Sequence, residues 1–282
     1  MEAMITAEEA LRLSQSKEKI VFLDVRFDLK DHHYGAKEYA KGHIPGAIFV
    51  DFEKDLVMQN PTFGGNHPFL TQEAFDLLFK GYGIDPDSLV IAYDEGDLAG
   101  PARLFVQGRY AGFDRIRVLD GGLLAWQKAG GAITTLPSSF VEKGKGIGHC
   151  KVREDLLYTL EETASKKDTT ALLLDARARA RYLGKIEPVY PRKGHIPGAY
   201  NLPYTEIRTE EGNLLSKEEL EKAFAKFPEK EETILSCGSG VSACVLALAM
   251  ERIKKPYHLY NGSYSEWVAD EARPVETKEN ID

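Results

Sequence analysis

Short apolar runs rich in Val, Ile and Leu, each bounded by turn residues, punctuate this chain at 19–24, 88–94, 115–120, 170–175, 233–237 and 257–261. Runs of that length and composition predict strands. The stretches between them carry helix signals. Thr6-Ala7-Glu8-Glu9, Thr159-Leu160-Glu161-Glu162 and Ser216-Lys217-Glu218-Glu219 are capping boxes, in which a hydroxyl and the later Glu satisfy otherwise orphaned amide donors. A further helix is expected over about 242–253, which contains the apolar stretch Ala243-Cys244-Val245-Leu246-Ala247-Leu248-Ala249-Met250. Strands alternating with helices predict an α/β fold on a mainly parallel sheet with helices on both faces.

The pattern runs twice. Gly-His-Ile-Pro-Gly-Ala stands at 42–47 and again at 194–199. Asp24-Val25-Arg26 precedes the first copy and Asp175-Ala176-Arg177 the second. Asp120-Gly121-Gly122 follows the first copy, with Trp126 four residues on, and Asn261-Gly262-Ser263 follows the second, with Trp267 four residues on. An ordered set of matches points to a tandem duplication. The expected division is 1–135, a linker over 136–151 holding Pro137, Ser138 and Ser139, and 152–282. The hexapeptide lacks the Gly-Lys-Ser/Thr ending of a phosphate loop.

A chain of 282 residues accommodates two such domains, and 43% hydrophobic with 28% charged residues suits a globular protein. The formal charge of −8 argues against a nucleic-acid or anionic-membrane surface. No apolar run reaches the roughly 20 residues of a membrane helix. The acidic start, with no signal-peptide pattern, and three cysteines that make no paired framework predict a cytoplasmic protein with reduced thiols. His32, His33 and His67 form no credible metal set, and no cofactor is expected.

One cysteine stands apart. Cys237 ends a predicted strand, and Gly238 and Gly240 follow before the helix begins. Glycines let the backbone curl so that several amides converge, at the positive end of a helix. A sulfur there is expected to react as thiolate, and the same amides can hold a persulfide or an anionic substrate. Inert packing is the alternative, because free cysteine is among the most buried residue types. Cys244, inside the apolar helix, is read that way, and Cys150 as incidental to the linker.

The repeated Asp-x-Arg and Gly-His-Ile-Pro-Gly-Ala, the late Gly-x-x-x-x-Trp element and the loop Cys-Gly-Ser-Gly-Val-Ser together resemble the rhodanese superfamily over nearly the whole chain. The resemblance implies two tandem rhodanese-like domains, the first inactive because Asp94 takes the cysteine's place. It implies a sulfurtransferase in which Cys237 carries sulfane sulfur as a persulfide, with cyanide, small thiols or thioredoxin as acceptor. Thiosulfate enzymes of the superfamily carry basic residues just after the cysteine. This neutral loop of Gly238, Ser239, Gly240, Val241 and Ser242 resembles that of 3-mercaptopyruvate enzymes, with thiosulfate as the alternative donor. Arg181 is implied as the grip on the donor carboxylate. A second arginine usual after Glu-Pro is replaced by Val189, so either Arg192 takes over or the second contact is missing. Asp31, His43 and Ser239 match the implied proton-handling groups, His195 is read as structural, and Phe27 stands where relatives carry Trp. Asp24 with Arg26 and Asp175 with Arg177 are read as structural ion pairs. A cysteine phosphatase needs an arginine closing the loop, where this chain has Ala243, and a non-catalytic docking module would lack the cysteine.

Overall fold

The computed structural model describes residues 2–59, 64–138, 142–148 and 150–278. Its contacts separate into two compact units. One comprises Met1–Gln59, Leu70–Arg153 and Glu210–Leu214, and the other Asn60–Phe69, Glu154–Thr209 and Leu215–Asp282. The segment expected as a linker is therefore not free. Gly144 N donates to Lys80 O (2.9 Å), Gly146 N to Ile84 O (2.8 Å) and Ile147 N to Asp76 Oδ1 (2.8 Å), and Ile147 is fully buried. Its Gly and Lys content reads as loose chain, but its amides are fastened to the first unit.

In the first unit, strands β1 (Met4–Ile5), β2 (Ile20–Asp24), β3 (Ile48–Phe49), β4 (Leu89–Tyr93) and β5 (Ile116–Leu119) form a wholly parallel sheet in the order β1-β5-β4-β2-β3. Helices α1 (Ala7–Ser14), α2 (Tyr34–Lys41), α3 (Phe52–Asp55), α4 (Gln72–Gly81), α5 (Ala99–Tyr110) and α6 (Gly122–Lys128) connect them. The second unit repeats the scheme with β6 (Leu157–Tyr158), β7 (Ala171–Asp175), β8 (Tyr200–Asn201), β9 (Glu232–Ser236) and β10 (His258–Tyr260), in the order β6-β10-β9-β7-β8. Its helices are α7 (Leu160–Lys166), α8 (Arg179–Tyr182), α9 (Lys217–Phe224), α10 (Ala243–Arg252) and α11 (Ser263–Ala269).

Every residue of β4 and of β7 is buried, which explains why those strands read as continuous apolar runs rather than alternating ones. In the second core, Leu173, Ile196, Ile234, Tyr260, Tyr264 and Trp267 pack together. Trimming Leu173 to Ala there costs about 2–5 kcal/mol. The boxes at Thr159 and Ser216 form with both reciprocal bonds, and Thr6 accepts from Glu9 N.

The duplicated motifs build the same module twice. Arg26 forks onto Asp24 and donates to Gly42 O (2.7 Å); Arg177 forks onto Asp175 and donates to Gly194 O (2.8 Å). Each arginine thus ties its strand end to the start of the hexapeptide. Trp126 Nε1 donates to Ala132 O and Trp267 Nε1 to Pro274 O, closing each unit around the same indole.

Candidate active site

In the second sheet the strand order reverses between β7 and β9, since the chain runs from β7 outward to β8 and from β9 outward to β10. Open α/β sheets bind ligands outside the carboxyl ends of the strands at such a point. Cys237 lies there, directly after β9. Ala176 N donates to Ser236 O, Tyr264 N to Cys237 O (3.1 Å) and Ser265 N to Gly238 O (2.7 Å), so the start of the loop is fastened to its neighbours through these carbonyls. Gly240 N donates to Cys237 Sγ at 3.1 Å, and Cys237 N is taken by Ser263 Oγ at 3.0 Å.

Two backbone conformations make the curl. Gly240 has φ +78°, and a Cβ there would stand 2.4 Å from Asn261 O, so only glycine closes the loop. Ser263 sits at φ +52°, where the first unit has Gly122 at φ +56°. A serine in the left-handed region is strained by about 1–2 kcal/mol. Here its hydroxyl fills the gap under the Cys237 amide. Val241 is buried, and Ser242 occupies the N-cap of α10 with no side-chain capping bond.

Beside the loop, His67 and Tyr190 meet at Ser239. The Ser239 Oγ lies 2.6 Å from His67 Nδ1. His67 is delivered by the stretch at 64–69, which belongs to this unit and is pinned by Asn66 N to Ser265 Oγ (3.1 Å) and Gly64 N to Glu266 Oε1 (3.0 Å). The Tyr190 phenol hydrogen-bonds Ser239. Burial and the nearby Cys237 sulfur push its pKa up, against the pull of that bond. Behind it lies a charge-balanced cluster. Glu187, fully buried, accepts from Arg181 Nη2 (2.7 Å) and Arg177 Nη1 (3.3 Å), and also from the amides of Val189 and Tyr190. Arg181 lies 5.4 Å over the Tyr190 ring, and Arg177 4.1 Å over Tyr264.

A sulfur that accepts from a loop amide, next to a hydroxyl–imidazole pair, at the switch point of a duplicated parallel sheet is a specific arrangement. The family described as Rhodanese-like domain matches residues 6–129 and 159–270. The chain belongs to this rhodanese family. A Pseudomonas aeruginosa relative named "Probable 3-mercaptopyruvate sulfurtransferase" is 38% identical, covering 97% of this chain and 98% of its own. The thiosulfate sulfurtransferase of Rattus norvegicus is 32% identical, covering 92% and 88%. The crystal structure of SseA from Escherichia coli superposes with a TM-score of 0.81 at 29% identity, covering 94% of this chain and all of that one. No helix among the described residues is long and apolar enough to cross a membrane.

Within this rhodanese, the expected site residues divide. Cys237, Gly238, Ser239, Gly240, Val241 and Ser242 form one loop, and Arg181 stands behind it. Arg192 does not join them. Its guanidinium donates to the carbonyls of Val268, Asp270 and Arg273 (3.2, 2.8 and 2.6 Å), in and just after the last turn of α11, and so serves that helix end. His43 is packed into the hexapeptide turn of the first unit. It is 1% exposed, stacks on Tyr39 at 3.7 Å and holds Tyr39 O through Nδ1 at 2.8 Å. His195 does the same with Tyr182 at 3.7 and 2.7 Å, and burial lowers its pKa, so the repeated histidine serves the turn in both copies. Asp31 is half exposed, ion-paired to Lys37 at 2.9 Å, which holds its carboxyl below the usual range. It lies just before α2, where Tyr34 N donates to its carbonyl at 2.9 Å. Phe27 stacks flat on Phe52 at 4.1 Å.

Asp94 leaves β4 as Cys237 leaves β9, and its Oδ1 takes Gly96 N at 2.7 Å, a carboxylate copy of the sulfur–amide contact. Burial pushes it up to about 7. Cys244 is buried in α10 with Sγ directed at Gly240 O (3.2 Å), and burial pushes the Cys150 thiol up. Sequence reasoning missed His67 as a site residue, along with Tyr190, Glu187 and Ser263. The only signals were the Gly-Gly before Asn66 and an aromatic two residues after Glu-Pro.

Proposed function

We propose that this rhodanese-type sulfurtransferase takes its sulfur from 3-mercaptopyruvate. The observation that carries the reading is the Ser239–His67 contact in a loop without a cation. The Cys237 thiolate attacks the donor sulfur, the carbon–sulfur bond breaks, and its electron pair passes to the carbon as the enolate of pyruvate. The sulfur bonds to Cys237 as a persulfide. The enolate needs a proton, and a hydroxyl hydrogen-bonded to an imidazole supplies one and is recharged by the persulfide's own proton. Sulfite leaving from thiosulfate needs none, so that donor leaves the pair without a task. A dianion would also be better served by Lys or Arg at 238 or 239 than by Gly and Ser.

Arg181 keeps Nη1 outside its fork with Glu187, and this is the atom we assign to the donor carboxylate. In the second half-reaction a thiophile such as cyanide, a small thiol or a thioredoxin-like dithiol removes the outer sulfur and regenerates the thiolate. A dithiol acceptor fits a reducing, cytoplasmic setting.

Pyruvate release by Cys237→Ser tests the mechanism: none above background is expected, and turnover near wild type would refute it. Comparing kcat/KM for 3-mercaptopyruvate and thiosulfate with cyanide as acceptor tests the donor. A preference for thiosulfate overturns the choice of donor while leaving the class intact.

A further inference from the structure

The loop's neutrality has a cause outside the loop. A Cβ on Gly238 would stand 2.9 Å from Tyr190 Oη and 3.5 Å from its Cε2. The ring cannot swing aside freely. Tyr264 packs edge-on against it at 5.8 Å, the Arg181 guanidinium covers it at 5.4 Å, and its own amide is fixed on Glu187 Oε1 at 3.3 Å. The phenol therefore occupies the space that a side chain at position 238 would need. The same oxygen meets Ser239, whose hydroxyl is bound on its other side by His67.

We propose that Tyr190 is the positioning residue that sets donor preference, by holding position 238 free of any cationic side chain and by fixing Ser239 for proton transfer to a 2-oxo-acid enolate. This rests on the sulfurtransferase reading above. The phenol contributes twice to one discrimination. It denies a sulfur oxyanion the cation it would pair with, and it orders the relay that only a carbon leaving group uses. Glu187 supports it from behind by neutralising Arg177 and Arg181, so that the pocket holds one directed arginine rather than two loose ones.

The test measures kcat/KM for 3-mercaptopyruvate and for thiosulfate, with cyanide, in the full-length protein. Tyr190→Phe removes one oxygen and keeps the ring. Its ratio of mercaptopyruvate to thiosulfate efficiency should fall about fivefold, the worth of one lost hydrogen bond between neutral groups. Gly238→Arg alone should lose activity with both donors, because its Cβ meets the phenol. Gly238→Arg combined with Tyr190→Ala should recover turnover with thiosulfate and push the ratio at least a further tenfold toward it. An unchanged ratio in Tyr190→Phe overturns the proposal, as does a Gly238→Arg protein that works equally well with or without Tyr190. Should the arginine variants fail to fold, Tyr190→Phe decides alone. Absence of sulfur transfer in the wild type, by contrast, refutes the underlying reading and not this step.

Discussion

Asp94→Asn isolates one buried charge. The carboxyl lies at the mouth of α5, 5% exposed, with Gly96 N on one oxygen, and burial raises it from 3.8 to about 7. Between those two values the folded protein holds a proton that the unfolded chain has released. Stability from this group is therefore greatest below about pH 4, declines as pH rises, and is fully lost above about pH 7. At 1.36 kcal/mol per tenfold change, ionising Asp94 costs the fold roughly 4 kcal/mol at pH 8. Asparagine keeps the carbonyl that accepts from Gly96 and cannot ionise. Urea unfolding of both proteins at pH 5, 6.5 and 8, with equal m-values, gives the difference at each pH. The variant should gain on the wild type by roughly 2–4 kcal/mol between pH 5 and 8. Other titrating groups are common to both proteins and cancel. A difference that is flat across that range would refute the assignment, and one that shrinks with pH would reverse its sign.

Replacing His67 by Ala should lower pyruvate-forming kcat by about a hundredfold while slowing thiosulfate turnover far less; equal losses would deny the relay. Arg192→Met strips the carbonyls beyond α11 of their donors and should lower unfolding free energy by about 2 kcal/mol. The donor KM of that variant should stay within about twofold, since the guanidinium faces α11 and not the sulfur. Gly240→Ala should reduce activity by at least about a hundredfold, because its Cβ meets Asn261 O and displaces the amide on Sγ. Gly130→Ala, also at positive φ but with open space around it, should cost only about 1 kcal/mol by thermal unfolding and serves as its control.

The long strands and the helix after Cys237 were legible because each buries a continuous apolar run between capping and turn residues. The predicted run at 170–175 became Ala171–Asp175, and that at 115–120 became Ile116–Leu119. Strands β1, β3, β6 and β8 were not legible. Each is two residues long, too short for any period, and exists because a neighbouring strand offers unpaired backbone. The loop around Cys237 could be read since its chemistry is local to six residues. His43 and His195 are held in the same way because a motif occurring in both halves marks what the fold needs. His67 was invisible for the opposite reason: its partner lies 172 positions away, and nothing at 64–69 repeats in the second half.

The halves have traded segments. Ten residues numbered within the first half count among the contacts of the second unit, and five from the second half have gone the other way. A polypeptide begun at 152 would keep the cysteine but forfeit the imidazole that serves Ser239. Duplication thus left no spare copy to discard. The first half of the sequence carries a residue of the second unit, and the boundary of the repeat is not the boundary of the fold.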